Sequence, residues 1–193
     1  GEQIGILEKQ GEEDRFIFGY EESYGYLAGN YVRDKDAVNA SMLICEMAAF
    51  YRTKGISLIQ ARENMYKTYG VYYHTQQSFT FEGKAGMEKM NSIMENLRKN
   101  YVAEIGGLKV ILFEDYLEGI SKNVETGKIT EIKLPKSNVL VFGLTDGAKV
   151  IIRPSGTEPK IKAYYTAIGE TQSDAQALEK KLSLIHISEP TRP

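Results

Sequence analysis

The chain has 193 residues, of which 42% are hydrophobic and 26% charged, so it can bury one sizeable core or two small ones and is not a disulfide-stapled miniprotein. Its 24 lysines and arginines against 26 aspartates and glutamates give a net charge of −2, which argues against a nucleic-acid-binding or polybasic membrane surface. No apolar stretch approaches the roughly 20 residues that span a bilayer, and no signal peptide is recognisable. We therefore expect a soluble protein with neither nucleic acid nor membrane as a partner.

The single cysteine, Cys45, cannot form an internal disulfide. It stands in the apolar run Met42–Cys45, so we expect a packed free thiol. A lone free cysteine is typical of a reducing compartment. The expected location is therefore cytoplasmic.

The first predicted element is a short buried strand over residues 15–19, an apolar run that ends in glycine. Residues 20–30 are predicted to form a loop. Apolar residues at helical spacing then predict a helix over 35–54, which Asp34 or Asp36 can cap.

A second helix is predicted from Ser57 to Gly70. Alternating aromatic and polar residues over 71–81 predict a half-exposed strand, and we place a domain boundary here, near residue 75. Methionines at helical spacing over 83–100 predict an amphipathic helix that lies on a sheet and contributes to its core.

Four β-rich runs follow, separated by turn signals such as Glu125-Thr126-Gly127 and Thr145-Asp146-Gly147, and they cover residues 109–113, 139–144, 148–153 and 161–167. A closing helix over 173–182, capped by Ser173, completes the pattern. The order of strand, helix, several strands and helix predicts an α+β fold with helices on one face of a sheet.

The loop between the last two predicted strands, Arg153 to Lys160, has a composition that suits a phosphate. It offers a guanidinium, two hydroxyls and a glycine that lets backbone N–H groups approach the oxygens. Lys162 can add a charge on the same side, whereas Ile161 should point inward. An ordinary polar β-turn is an equal alternative on composition alone.

A second loop, Gly19 to Gly25, contains the adjacent carboxylates Glu21 and Glu22 next to Ser23. These groups suit sugar hydroxyls. Neighbouring residues of an extended loop point apart, which argues against an acid/base pair for glycoside hydrolysis. Two carboxylates without further acidic or histidine ligands nearby provide few ligands for a magnesium ion, which argues against a magnesium site. A solvated acidic loop remains the alternative.

Three motifs, taken together, are specific enough to indicate a protein family. They are Gly-Tyr-Glu-Glu-Ser-Tyr-Gly, the helix start Arg-Asp-Lys-Asp and the later Arg-Pro-Ser-Gly-Thr-Glu-Pro. Over residues 1–182 the chain resembles the C-terminal part of the α-D-phosphohexomutases, in particular bacterial-type members of the phosphoglucomutase/phosphomannomutase family. The resemblance implies that residues 1–75 are the C-terminal part of a three-layer α/β domain 3. It also implies that residues 76–182 are domain 4, which resembles the TATA-binding protein. We interpret residues 183–193 as a vector-derived or read-through tail.

The resemblance also implies roles for individual residues. The sugar hydroxyls O3 and O4 would be bound by Glu21 and Ser23, with Glu22 as a weaker candidate. Lys35 matches a family lysine that assists proton transfer, although a solvated helix-end charge is an equal alternative. The phosphate loop carries over onto Arg153, Ser155, Gly156, Thr157 and Lys162.

Family members pass a phosphoryl group between a phosphoserine and either end of a hexose phosphate, through a bisphosphate that reorients. By this resemblance the chain would belong to an isomerase that interconverts glucose 1-phosphate and glucose 6-phosphate through glucose 1,6-bisphosphate. A phosphomannomutase, a phosphopentomutase and a non-catalytic phosphosugar-binding module are the alternatives.

The family's phosphoserine loop and its aspartate-rich Mg²⁺ loop have no match in this sequence. We therefore expect them in N-terminal domains of the same chain, with Mg²⁺ as cofactor of the full-length enzyme and no metal ligand here. The chain alone should not turn over substrate. The histidines His74 and His186 are interpreted as bystanders.

Overall fold

The computed structural model describes residues 1–21, 25–81, 83–100, 102–156 and 158–183. The chain divides into two compact units, Gly1–Asn64 and Met65–Pro193. Within the described ranges, no helix has the length and apolar character needed to cross a membrane.

The first unit combines helices with one β-hairpin. Strands β1 and β2 pair antiparallel, from Phe18 opposite Ala28 to Glu21 opposite Gly25. The second of its long helices continues past Asn64 into the second unit. In chain order the elements are α1 (Glu2–Glu8), a 3₁₀ turn (Glu13–Arg15), β1 (Phe18–Glu21), β2 (Gly25–Ala28), α2 (Ala37–Thr53) and α3 (Leu58–Tyr69).

Both predicted helices of this unit are confirmed, because their end signals act as expected. The Asp36 carboxylate accepts hydrogen bonds from the N–H groups of Val38 and Asn39 at 2.9 and 3.1 Å and so caps α2. Ser57 and Gln60 bond reciprocally at the start of α3, as in a capping box.

Two predictions for the first unit are wrong. The expected buried strand at 15–19 begins only at Phe18, and the neighbouring Ile17 is 81% exposed. Cys45 is exposed rather than packed. The physical reason is shared: the described part of this unit has only a two-stranded sheet, which leaves α2 without a single buried residue.

The predicted loop at 20–30 is also too long, because most of it belongs to the hairpin. Of the predicted loop, residues 20–21 and 25–28 are strand. Their aromatic and glycine residues do not alternate with polar residues as a half-exposed strand does, so the period-two signal is missing.

The second unit is built on an eight-stranded antiparallel sheet. Along the sheet the strands are ordered β3-β10-β9-β8-β5-β6-β7, and β4 pairs with β5 at the side. Their bounds are β3 (Val71–Thr80), β4 (Glu104–Ile105), β5 (Leu108–Asp115), β6 (Ile120–Asn123), β7 (Ile129–Glu131), β8 (Leu140–Leu144), β9 (Lys149–Pro154) and β10 (Lys160–Gly169).

Helices α4 (Gly83–Lys99) and α5 (Gln172–Leu182) pack on this sheet and share its buried cluster. Met90 and Met94 of α4 share one buried cluster with alternate residues of β10 such as Ile161. Burial of such side chains contributes roughly 1.5–3 kcal/mol each to folding. The α+β class is therefore confirmed, and the predicted core role of the methionines is confirmed for Met90 and Met94 but wrong for Met87, which is 40% exposed.

The turn signals mark real chain reversals. Asp146 and Gly147 adopt φ values of 58° and 75° between β8 and β9, as a two-residue hairpin turn requires. Glu125-Thr126-Gly127 lies between β6 and β7, two short strands that the sequence did not predict. All three residues of β7 are exposed, so no buried face marks it.

The domain boundary predicted near residue 75 falls inside β3. Every residue of β3 pairs with β10, from Val71 opposite Gly169 to Thr80 opposite Lys160. The strand therefore belongs to the second unit's sheet along its whole length. Of the predicted tail at 183–193, only Ser183 lies within the described residues, where its N–H bonds to the Glu179 carbonyl.

Candidate functional site

Two cations lie side by side on the outer face of the second unit's sheet. Arg153 on β9 is directly opposite Lys162 on β10 in the antiparallel register, so both side chains leave the sheet on the same face. Ile161, the preceding residue, is fully buried on the other face, as the strand alternation predicts. Among the described residues, Arg153 has no carboxylate partner.

The segment that joins the two strands is held at its base by backbone hydrogen bonds. The Ser155 N–H donates to the Lys160 carbonyl at 2.8 Å, and the Lys160 N–H donates to the Glu158 carbonyl at 2.7 Å. Ser155 is half-buried and Gly156 is exposed. The predicted Thr157 lies outside the described residues.

The one carboxylate of this segment is neutralised by its own neighbour. Lys160 Nζ lies 2.5 Å from Glu158 Oε2. The hydrogen bond and charge of Lys160, helped by the charge of Lys162, lower the pKa of Glu158. The loop therefore presents a positive face at neutral pH, which suits a phosphate oxygen.

A cavity of about 540 Å³ adjoins this loop within the second unit. Its walls come from three places in the chain: the loop itself, helix α4 and the segment before β8. Lys162 is not part of its wall, and the described residues that line it are Met90, Asn91, Ser137, Asn138, Val139, Arg153, Pro154, Ser155 and Gly156. This volume is within the range of small-molecule sites.

The predicted sugar-binding loop lies in the first unit, at the end of the β1–β2 hairpin. Glu21 is the last residue of β1 and pairs with Gly25, the first residue of β2. The other two predicted hydroxyl-binding residues, Glu22 and Ser23, lie outside the described residues. Of this predicted set, the structure therefore describes Glu21 alone.

Lys35 is held beside Glu21 by the start of α2. Its Nζ lies 3.5 Å from Glu21 Oε2 and 3.1 Å from Asp34 Oδ1. The hydrogen bond and charge of Asp34, and then the charge of Glu21, raise the pKa of Lys35. The pKa of Asp34 is lowered by hydrogen bonds from the Lys35 backbone and side chain. Lys35 is therefore a charged donor at neutral pH.

Gly25 makes the approach of Lys35 to Glu21 sterically feasible. A Cβ at position 25 would lie 2.1 Å from Lys35 Cδ and 2.7 Å from Glu21 Oε1. The lysine side chain thus crosses directly over the glycine. Glu21, Gly25 and Lys35 line a cavity of about 260 Å³ within the first unit, together with Tyr20.

Two roles at these sites were not predicted from the sequence. Asp34 is the nearer ion partner of Lys35, and Asn138 lines the cavity beside the phosphate loop. The only signal for Asn138 is its place immediately before an apolar strand. That position is too common to indicate a site by itself.

The described residues do not fit a metal ion, because no group of three or more His, Cys, Asp or Glu comes together among them. His74 Nδ1 lies 3.1 Å from the Thr166 hydroxyl, and Thr166 is its cross-strand neighbour. The second histidine, His186, lies outside the described residues.

Two family models match the chain. The model described as phosphoglucomutase/phosphomannomutase, alpha/beta/alpha domain III, matches residues 5–69. The model of the phosphoglucomutase/phosphomannomutase C-terminal domain matches residues 89–183. The two matches follow one another along the chain in the order of the numbered domains.

Curated relatives agree with these matches. A phosphoglucomutase from Staphylococcus epidermidis is 41% identical over 152 residues, which are 79% of this chain and 28% of the relative. Phosphoglucomutases from Staphylococcus aureus (43% identity, 79% of this chain, 28% of the relative) and Staphylococcus saprophyticus (38%, 83% and 29%) are similar. The chain thus spans a little over a quarter of their length.

A solved structure has the same fold. It is the open form of the exocytosis-sensitive phosphoprotein pp63/parafusin, a phosphoglucomutase from Paramecium. The superposition has a TM-score of 0.60 at 20% identity and covers 100% of this chain and 34% of the solved chain.

Proposed function

Because the chain belongs to the phosphoglucomutase/phosphomannomutase family, as the C-terminal part of a phosphohexomutase, we propose that it is the substrate-binding portion of a phosphoglucomutase. The full-length enzyme would interconvert glucose 1-phosphate and glucose 6-phosphate through a phosphoserine and glucose 1,6-bisphosphate. The 38–43% identity to staphylococcal phosphoglucomutases supports glucose as the sugar.

The observation that carries this proposal is the pairing of Arg153 and Lys162 on one face of the sheet, beside Ser155 and Gly156. A guanidinium binds two phosphate oxygens at once, and a neighbouring ammonium neutralises the remaining charge. The hydroxyl and the backbone N–H groups of the loop donate to the same oxygens, with Thr157 as a further hydroxyl donor. This part of the chain would hold the phosphate that does not react.

In the first unit, Glu21 would accept hydrogen bonds from the sugar hydroxyls, with Ser23 and Glu22 as its partners. Lys35 would act as a charged donor beside Glu21, since its neighbours raise its pKa and oppose a role as a base at neutral pH. Glu21 and Lys35 are already within 3.5 Å.

The work of these groups is to position the substrate and balance its charge, which is most of what phosphoryl transfer requires of a protein. The phosphoserine and the Mg²⁺ ligands of the full-length enzyme would lie in preceding domains. Because the residues described here do not fit a metal ion, no step assigned to this chain involves one. The chain alone should bind substrate without converting it.

Calorimetric titration of the 193-residue chain tests the proposal. Glucose 1-phosphate and inorganic phosphate should both bind saturably, and glucose should not. Arg153→Ala should weaken the affinity for either phosphate at least about tenfold, because a charge-assisted pair of hydrogen bonds is lost.

Lys149→Ala provides the matched control. Lys149 is an exposed cation on the same strand and face as Arg153, about 13 Å away along the strand, and should leave the affinity unchanged. Absence of phosphate binding by a folded chain, or equal losses in both variants, would contradict the proposal.

A further inference from the structure

One side chain of the cavity beside the phosphate loop is held in place by residues outside the loop. Asn138 is half-buried and lines the cavity together with Arg153 and Ser155. Its backbone segment is fixed against the end of β5, because the Tyr116 N–H donates to the Val139 carbonyl at 3.0 Å. The residue therefore has a defined position next to the proposed phosphate site.

A buried ion pair contacts Asn138 through its arginine, Arg98. Asp115, at the end of β5, is 1% exposed, and its Oδ2 accepts a hydrogen bond from Arg98 Nε at 2.6 Å. Its other oxygen accepts from the N–H groups of Leu117 and Glu118 at 3.0 and 3.3 Å. A buried carboxylate is stable when its oxygens accept hydrogen bonds in this way, and these bonds also fix the position of the Arg98 guanidinium.

Arg98 sets the orientation of the Asn138 amide. Arg98 Nη2 donates to Asn138 Oδ1 at 2.8 Å, and a guanidinium has only donors, so the oxygen must face Arg98. The NH₂ group is then directed away from Arg98. Among the described residues, no acceptor is bonded to Asn138 Nδ2. Two N–H donors thus remain for a ligand in the cavity.

We propose that Asn138 is a further phosphate-binding residue, whose amide N–H groups donate to a phosphate oxygen in the cavity beside Arg153, and that Arg98 and Asp115 are the positioning pair that orients it. This inference rests on the proposed function, because the cavity shares Arg153, Ser155 and Gly156 with the proposed phosphate site. It adds a neutral hydrogen-bond donor from outside the Arg153–Lys160 loop. It also gives the buried ion pair of Arg98 and Asp115 a role in phosphate binding, although neither residue belongs to that loop.

The test is the titration of inorganic phosphate into the 193-residue chain and its variants, with the thermal midpoint recorded for each. Asn138→Ala should weaken phosphate binding about tenfold, as expected for a lost hydrogen bond to a charged group. Asn138→Asp keeps an acceptor for Arg98 but replaces the donors by a negative charge, so it should weaken binding further. Asn100→Ala, at the exposed end of α4, is the control and should have no effect.

Arg98→Lys tests the positioning role. Lysine can still pair with Asp115, but its single Nζ cannot occupy both the Nε position that faces Asp115 and the Nη2 position that faces Asn138, so phosphate affinity should fall severalfold in the native background. In an Asn138→Ala background the same change should cause no further loss. A structural role alone would lower affinity equally in both backgrounds, and that result would overturn the positioning assignment.

The outcomes separate the two proposals. Phosphate binding that is lost in Arg153→Ala but stays within twofold in Asn138→Ala overturns the role of Asn138 and leaves the proposed function standing. No phosphate binding by the native chain overturns both. If Arg98→Lys does not fold, the two Asn138 variants still decide the question.

Discussion

Among the described residues of the second unit, Tyr165 is the one tyrosine in the set of largest fully buried side chains, and it has a raised pKa. It is 1% exposed, and its hydroxyl lies 3.4 Å from Gln77 Oε1. Burial, and then the negative charge of Glu179, raise the pKa of Tyr165 from 10.0 to about 12. The folded chain therefore holds this proton more tightly than the unfolded chain does.

The resulting contribution to stability is fully present below pH 10 and is lost as the pH rises through about 12. In that window Tyr165 should lower the free energy of unfolding by about 1.4 kcal/mol per pH unit. Urea unfolding between pH 9 and 12 measures it, with Tyr165→Phe expected to show a shallower decline. Tyr164→Phe, on the opposite face of the same strand, is the control. Equal slopes in the wild type and Tyr165→Phe would contradict this assignment.

The sites illustrate what a linear sequence can indicate about single residues. The motif around Glu21 and the position of Lys35 at a helix start were recognisable, and so was the outward direction of Lys162. The role of Gly25 was not recognisable, because it depends on the Lys35 side chain that crosses this residue. A Cβ at position 25 would lie 2.1 Å from Lys35 Cδ. Such steric requirements exist only in three dimensions.

At the scale of elements, helix α5 shows how a cap can be misassigned by two residues. The sequence favours Ser173, but the residue that caps the helix is Thr171. Its hydroxyl accepts from the Asp174 N–H at 3.2 Å, and the Asp174 carboxylate accepts from the Thr171 N–H at 3.2 Å. Both residue types are good caps, so only the backbone geometry distinguishes them.

Thr171→Ala should therefore lower the free energy of unfolding by about 1 kcal/mol, because the hydroxyl that accepts from the Asp174 N–H is lost, whereas the backbone N–H at position 171 can still donate to the Asp174 carboxylate. Ser173→Ala is the matched control and should change it by less than about 0.5 kcal/mol, as for other surface substitutions. Urea denaturation of both variants provides the measurement. The cap assignment would be wrong if the Ser173 variant lost as much stability as the Thr171 variant.

At the scale of the whole molecule, burial is distributed unevenly between the two units. In the described residues, the first unit buries Ile4, Leu7 and Leu27, whereas the second contains a continuous core that joins α4, α5 and the central strands. Val38 and Phe50 of α2 are 81% and 53% exposed. Local stability follows buried apolar contact, so the units should differ in resistance to opening.

Hydrogen exchange followed by mass spectrometry should show this difference. Amides of α2 are expected to exchange at least about a hundredfold faster than those of β9 and β10, since opening α2 exposes little buried surface. The exposed Cys45 thiol should also react readily with a thiol reagent in the native chain. Equally slow exchange in α2 and β10 would show that the first unit is as well packed as the second.

The sequence by itself determined the α+β class, the four long helices, the five strands β3, β5, β8, β9 and β10 of the second unit's sheet and the two loops with a family resemblance. These features depend on local periodicity, on caps and turns, and on short motifs, all of which are encoded within a few residues. Only the tertiary structure decided that Ile17 and Cys45 are exposed, that β3 belongs wholly to the second sheet, and that Arg98 and Asp115 orient Asn138. Burial and hydrogen-bond partners depend on residues far apart in the chain, and no local pattern records them.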